Sequence, residues 1–418
     1  MMEKQINIDV DQVLASSIRR KLVQNSPVSA GCCIFRVPNT LRKHNEQLFE
    51  PTFISIGPYH RDIQKFQFTE KIKLWYLDCL IARAPTPETS LECFIKSIRA
   101  NVKSCLECYG EEVLKLTNDE FVEIMVIDGC FIIEFFRRNA NIVPKSMDDP
   151  LFKMLWVRKV LVTDFLLLEN QLPWFVLECL FNLTETSHDE ERRPLSQLAY
   201  NYFHRNAFKT EMIEVNQRLQ NKHLLDLLRN IILRGSEDPQ EKGFLPIPCV
   251  TELLQAGVDF AVGEKTSLMK ITFENGILTI PPLVILDNAE SFFRNLIAYE
   301  QCDRSLNDGV TAYAAFLDNL VNSSEDLEYL RQKGIIICYL STEDVSAFFN
   351  RLYNDAHLTR YPYRKISERI VTHYQSRWPR WRAKLCRDYF NSPWAIISLI
   401  GAIIILVLTF LQTLYAMF

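Results

Sequence analysis

The stretch Glu120–Arg138, EFVEIMVIDGCFIIEFFRR, constrains the fold more than any other part of the chain. It is apolar nearly all round. A helix of that kind is buried in a protein or spans a membrane. Glu123, Asp128 and Glu134 lie within it and argue against a span, because a carboxylate at mid-membrane costs several kcal/mol. A buried central helix needs other elements to cover it.

Helical patterns supply that cover. Thr69–Arg83 carries Ile72, Tyr76 and Leu80 on one stripe, with Trp75 and Cys79 beside it. Glu88–Tyr109 places Leu91, Ile95, Ile98, Val102 and Cys105 at spacings of four, three, four and three, which predicts one amphipathic helix. Helical patterns recur over His223–Arg234, Asp287–Cys302, Val310–Val321, Asp326–Lys333, Asp344–Tyr353 and Ile366–Tyr374. A shorter helix is entered after Pro248 and ends near Gly257. Between these, SLMKITFENGILTIPPLVIL reads as a β-hairpin turning at Asn275-Gly276. Met269, Ile271 and Phe273 alternate on one side of it, and Ile277, Ile280 and Leu283 follow on the other. The segment from Cys32 to Asp62 reads as loop and short strand, punctuated by Pro38, Pro51 and Pro58.

Residues 164–181, DFLLLENQLPWFVLECLF, have two apolar runs around Glu169-Asn170-Gln171. They predict a buried helical hairpin or a kinked helix. Pro173 then sits in the first turn of the second segment, or kinks a continuous helix. Asn170 and Gln171 satisfy backbone groups freed at the break. Trp174, Phe175 and Leu177 point into the core.

The two ends differ from the body. Residues 1–30 predict an amphipathic helix, with Ile8, Val10, Val13, Leu14, Ile18 and Leu22 at three- and four-residue spacings. They lack the continuous apolar run of a secretory signal. Trp394–Phe418 carries no charged residue over 25 positions, about 37 Å as a helix at ~1.5 Å per residue. That predicts a single transmembrane anchor through Trp394, Leu399, Ile403, Leu406, Phe410 and Tyr415. The neck before it, 377–393, holds Arg377, Arg380, Arg382, Lys384 and Arg387. This predicts contact with anionic headgroups and a main domain (31–376) on the cytosolic side of a plasma membrane or endomembrane. The expected architecture is mainly α: an irregular multi-helix globular domain with a small β-hairpin element, plus one C-terminal transmembrane helix. Two glycosylation sequons, at Asn182 and Asn322, weigh little against that orientation.

Composition narrows the chemistry. Lys and Arg number 47 against 51 Asp and Glu, a net charge of −4, so no overall field favours nucleic acid. The 12 cysteines are scattered through apolar runs and read as buried free thiols. Cys105-Leu106-Glu107-Cys108 has no second pair to complete a zinc site. No H-E-x-x-H, G-x-S-x-G, P-loop or G-x-G-x-x-G pattern is present. No cofactor or metal is expected. His60, in the GPYHR turn, and Asp128 and Glu169, in apolar runs, are the candidate site residues. The acids Asp128, Asp164, Glu169 and Glu290 are expected to pair with arginines or to cap helices.

The blocks CCIFRVP…FISIGPYHR, FVEIMVIDGCFIIEFFRR, DFLLLENQLPWFVLE, IPCVTELLQAGVDF, ENGILTIPPLVILDNAESFFRNLIAYEQC and SRWPRWRAKLCRDYFNSPWAIISLI resemble the plant domain-of-unknown-function 247 family. They follow the family's order from about Val13 onward. The resemblance implies a land-plant protein with one C-terminal membrane helix and no established catalysis. In grasses, members act as pollen-side determinants of self-incompatibility alongside small secreted partners. The chain departs from the usual pattern at His60-Arg61-Asp62, where a second His and a Gly are common. It also stops at Phe418, where many members continue a little further.

Two functions remain open from the residues. One is a membrane-anchored recognition or signalling module that binds a protein partner, with specificity in the loops Thr184–Pro194, Arg234–Gly243 and Asn354–Arg364. The other is an enzyme with an unrecognised site near His60, Asp128 and Glu169, which requires those three side chains to meet.

Overall fold

The computed structural model describes residues 2–22, 29–43, 45–61, 64–83, 89–110, 116–184, 193–205, 214–215, 220–234, 243–265, 268–338, 340–376 and 393–417. Its centre is the helix Asn118–Asn139. Thr117 starts it with a reciprocal cap: its hydroxyl accepts from the Glu120 N–H, and the Glu120 carboxylate accepts from the Thr117 N–H at 2.7 Å. Such a cap satisfies donors that a helix start leaves free. Every residue from Phe121 to Asn139 is buried except Glu123.

The helices Gln67–Arg83, Leu91–Ala100, Trp174–Leu183 and Leu195–Phe203 pack around it. Phe131, Phe135 and Phe136 meet Phe165 and Tyr202 in an aromatic cluster of edge-to-face and tilted pairs with centroids 5.1–6.3 Å apart. The second half adds helices Val250–Gln255, Ala289–Cys302, Gly309–Leu320, Ser324–Gln332, Thr342–Leu352 and Arg364–Gln375. Two small sheets sit among them. In the first, β1 (Asp259–Val262), β2 (Thr272–Glu274) and β3 (Ile277–Ile280) take the order β1-β3-β2. β2 and β3 are antiparallel, whereas β1 runs parallel to β3. In the second, β4 (Leu283–Ile285) pairs in parallel with β5 (Ile336–Cys338).

The hairpin forms as expected. Asn275 and Gly276 take φ of 52° and 79°, the left-handed pair that a two-residue turn requires. The side-chain expectation needs one correction. Glu274 pairs with Ile277 and Phe273 with Leu278, so Leu278 shares the buried face and Ile277 is exposed. A second correction concerns Glu88–Tyr109. The described part divides at Asn101 into Leu91–Ala100 and Val102–Glu107. The Asn101 amide donates back to the Ser97 carbonyl at 3.0 Å, an alternative to continued helix that Asn favours. Phe175 is also exposed, while Trp174 and Leu177 are buried.

At the N-terminus a helix spans Met2–Lys21, but Val13, Leu14, Ile18 and Leu22 face solvent. The tail requires the largest correction. A helix spans Pro393–Met417, yet among the described residues no helix is long and apolar enough to cross a membrane. Ile403, Leu406, Phe410 and Tyr415 are exposed, while the side chains of Trp394 and Leu399 lie outside the described residues. The single-pass anchor and the plasma-membrane or endomembrane location are withdrawn. So are the cytosolic orientation and the bilayer partner, which rested on the anchor. Arg377, Arg380, Arg382, Lys384 and Arg387 lie outside the described residues.

Eleven cysteines are described, all free and none exposed; Cys386 lies outside the described residues.

Candidate functional site

The structure brings the three candidates together around the turn Gly57–Arg61. Gly57 has φ of +73°. Its N–H donates to Asp128 Oδ2 at 2.8 Å. Asp128, on the central helix, is fully buried. Its Oδ1 accepts from Lys73 Nζ at 2.7 Å and from Arg61 Nη1 at 3.2 Å. Glu70 closes the set, taking Lys73 at 2.7 Å and Arg61 at 2.9 Å. Two acids and two bases thus balance around the buried Asp128–Lys73 pair, with Arg61 and Glu70 partly exposed at its rim, and a buried charge requires such pairing. Lys73 also donates to the Ser55 carbonyl.

His60 leads from the same turn to Glu169. Its Nε2 lies 3.1 Å from Glu169 Oε2, close enough for charge pairing but off the line of a hydrogen bond. Glu169 Oε1 accepts from the Val37 N–H at 2.7 Å and from Arg42. Arg36 stands 3.6 Å from Oε2. Burial pushes the Glu169 carboxyl up, but His60, the Val37 N–H and Arg42 outweigh it and hold it below its ordinary value.

The neighbouring residues extend the same pattern. Asn170 accepts from the Ile56 N–H at 2.6 Å and donates to the carbonyls of Ile54 and Asp164. Gln171 donates to the carbonyls of Phe165 and Leu167 and accepts from the Leu225 N–H. Asp164 accepts from the N–H groups of Thr52, Phe53 and Ile54 at 2.7–2.9 Å. The break in the 164–181 stretch is therefore filled as expected. Pro173 directly precedes the helix Trp174–Leu183.

The geometry has a plain chemical consequence. Asp128 ties the loop 51–61 to the central helix, Asp164 ties it to the end of the helix Leu155–Asp164, and Glu169 holds the Val37 N–H and Arg42 beside it. Glu290 faces Arg294 and Arg351. The expectation that these acids pair with arginines or cap helices therefore holds for Asp128, Glu169 and Glu290, whereas Asp164 instead holds three N–H groups of a loop. None of His60, Asp128 and Glu169 lines the grooves beside the hairpin or the small apolar cavity by Phe293. Among the described residues, no cluster of His, Cys, Asp and Glu could hold a metal.

Sequence reasoning missed Lys73, Arg36 and Arg42 as partners. Lys73 carried a signal: it falls four after Thr69 and three before Tyr76, on the stripe that faces the core.

A Cβ on Gly57 would stand 2.6 Å from the Gln171 carbonyl oxygen. Gly57→Ala combines that clash with a left-handed backbone, and should cost about 2–5 kcal/mol. Urea unfolding measures it. A loss under about 1 kcal/mol would mean that the turn can move off Gln171.

A family model covers residues 34–408 of this chain. The chain belongs to the plant family of unknown function DUF247. Two proteins of Arabidopsis thaliana are similar over nearly the full length. UPF0481 protein At3g47200 is 27% identical, with 94% of this chain and 87% of that protein covered. Putative UPF0481 protein At3g02645 is 22% identical, covering 97% and 93%. No solved structure matches. The DUF247 match takes in the pinned loop, the central helix and the 164–181 turn together.

Proposed function

We propose that this DUF247 chain is a protein–protein recognition module. The observation that carries the reading is a short exposed apolar surface. Met147, Leu155 and Trp156 are 95%, 81% and 56% exposed, within ten residues of chain around the junction of the helices Pro150–Lys153 and Leu155–Asp164. Fully burying a side chain such as Leu or Met is worth about 1.5–3 kcal/mol, and clustered exposure of such groups marks docking surfaces. Trp156 stands edge-on to Phe53 with centroids 5.3 Å apart. A tryptophan held this way brings large contact area with little entropy to lose. The engagement of Asp128, Asp164 and Glu169 in holding the loop supports the same reading.

One loop expected to carry specificity is not loose. Asp308 accepts from the Thr359 N–H, the Thr359 hydroxyl and the Arg360 N–H at 2.6–2.8 Å, and Gln301 clasps His357. Most of Thr184–Pro194 and Arg234–Gly243 lies outside the described residues.

A photo-cross-linker at Met147 in the full chain tests the proposal in an extract of the tissue that expresses it. One adduct of defined mass is expected, lost on Trp156→Glu with the melting temperature unchanged. Equal adducts from a control cross-linker at exposed Glu123, or no effect of Trp156→Glu, would overturn it.

A further inference from the structure

β2 is an edge of its sheet. In a hairpin closed by a two-residue turn, the pair beside the turn exchanges hydrogen bonds and the next pair does not. Here Glu274↔Ile277 is the first pair and Phe273↔Leu278 the second. The N–H and C=O of Phe273 therefore point away from β3. Among the described residues neither has a partner. Just before the strand, the Met269 carbonyl is taken by the Tyr363 hydroxyl at 2.8 Å.

The helix Arg364–Gln375 packs against β2 through Phe273 and flanks this edge. Strand and helix run in the same sense: Tyr363 bonds Met269 near one end, and the His373 ring meets Phe273 (5.6 Å) and Gly276 near the other. Two grooves of about 300 and 810 Å³ lie between them and share walls at Phe273, Lys365 and Arg369. A groove between a free strand edge and a helix suits an extended peptide, which adds as a further strand.

The charge of the groove selects the ligand. Lys270 and Arg369 are exposed cations on opposite walls, and His373 stands four residues beyond Arg369 on the helix. Of the two acids in the lining, Glu368 is paired with Arg364 at 2.9 Å, leaving Glu274. Among the described residues His373 Nε2 is buried without a partner. Spacing agrees as well. Four helical residues rise about 6 Å, and two strand residues about 6.6 Å. Side chains at alternate positions of an added strand thus keep step with Arg369 and His373.

We propose that this groove binds an extended acidic segment of a partner protein as a fourth strand beside β2. The segment bonds the Phe273 backbone and carries a carboxylate at every second residue. This deepens the recognition reading and rests on it, but it uses a surface other than Trp156.

Fluorescent nonapeptides test it against the full chain. One has glutamate at alternate positions between valine and threonine. A second has the same composition with its glutamates contiguous. A third is the alternating peptide N-methylated at the central amides. The alternating peptide should bind at least tenfold more tightly than the other two. Arg369→Glu should weaken it at least tenfold with unchanged melting temperature. Equal binding of the contiguous or N-methylated peptide, or indifference to Arg369→Glu, would overturn the strand-addition site. If the peptides fail while the Met147 adduct persists, the groove proposal falls and the recognition reading stands; loss of both removes the reading itself.

Discussion

Asp128→Ala should destabilise the protein by about 3–5 kcal/mol, the cost of breaking a buried ion pair by removing one partner. Asp128 is fully buried and receives three donors: the Gly57 N–H, Lys73 and Arg61. Removing it strands the Gly57 amide and leaves Lys73 and Arg61 with one acid, Glu70. Lys73→Met should cost less, since Asp128 keeps Arg61 and Gly57. Denaturant unfolding of both variants checks the order. The same pair of measurements separates scaffold from catalyst. A catalytic carboxylate could be removed with the fold intact, so a loss below about 1 kcal/mol would reopen the enzymatic alternative.

His223 makes stability depend on pH. It is fully buried and caps the helix Leu224–Ile232 with its ring. Nδ1 accepts from the Asp226 N–H at 3.2 Å, and Nε2 faces the Cys33 carbonyl at 3.0 Å. This pattern fits the neutral ring with its proton on Nε2. Burial pushes the pKa down to about 4, against partial opposition from Asp226 and the Cys33 carbonyl. The unfolded chain, with an ordinary value near 6.5, then binds more protons in between. The contribution is whole above about 6.5 and is lost as pH falls toward 4, by about 3 kcal/mol in all. Asp164, pushed up to about 6 by burial, works in the opposite direction between its ordinary 3.8 and 6. The comparison with His223→Asn cancels that term, because asparagine can cap a helix and does not titrate. The wild-type chain should lose about 3 kcal/mol relative to this variant between pH 7 and pH 4. A difference that stays flat would sink the assignment.

Local features were readable from the residues. Asn275-Gly276 specified its hairpin because the turn needs two left-handed residues in a row. The 164–181 turn was readable because Asn170, Gln171 and Pro173 each have few places in an apolar run. Non-local pairing was not. β1 joins β3 in parallel, and β4 joins β5 across the intervening helices, and three- or four-residue strands have no period long enough to declare a neighbour. His60, Asp128 and Glu169 stood out singly, as polar groups in apolar or turn settings. Their role depended on Lys73 and Arg42, which lie 55 and 127 residues from their carboxylates, and nothing local marks such a pair. Asn101 shows a different failure: one side-chain hydrogen bond outweighed a clean apolar period.

The pinned loop also sets a schedule for synthesis. Val37 must wait for Glu169, 132 residues later, and the Leu48 carbonyl for Asn295, 247 residues later. At about 5–20 residues per second, the first wait lasts about 7–26 s and the second about 12–50 s. Through that interval the emerging N-terminal third carries amide and carbonyl groups with no internal partner, beside isoleucines and phenylalanines with no core to enter. Newly made chain therefore stays open to aggregation and to chaperones for that interval, and truncation before residue 169 removes the carboxylate that Val37 and Arg42 need.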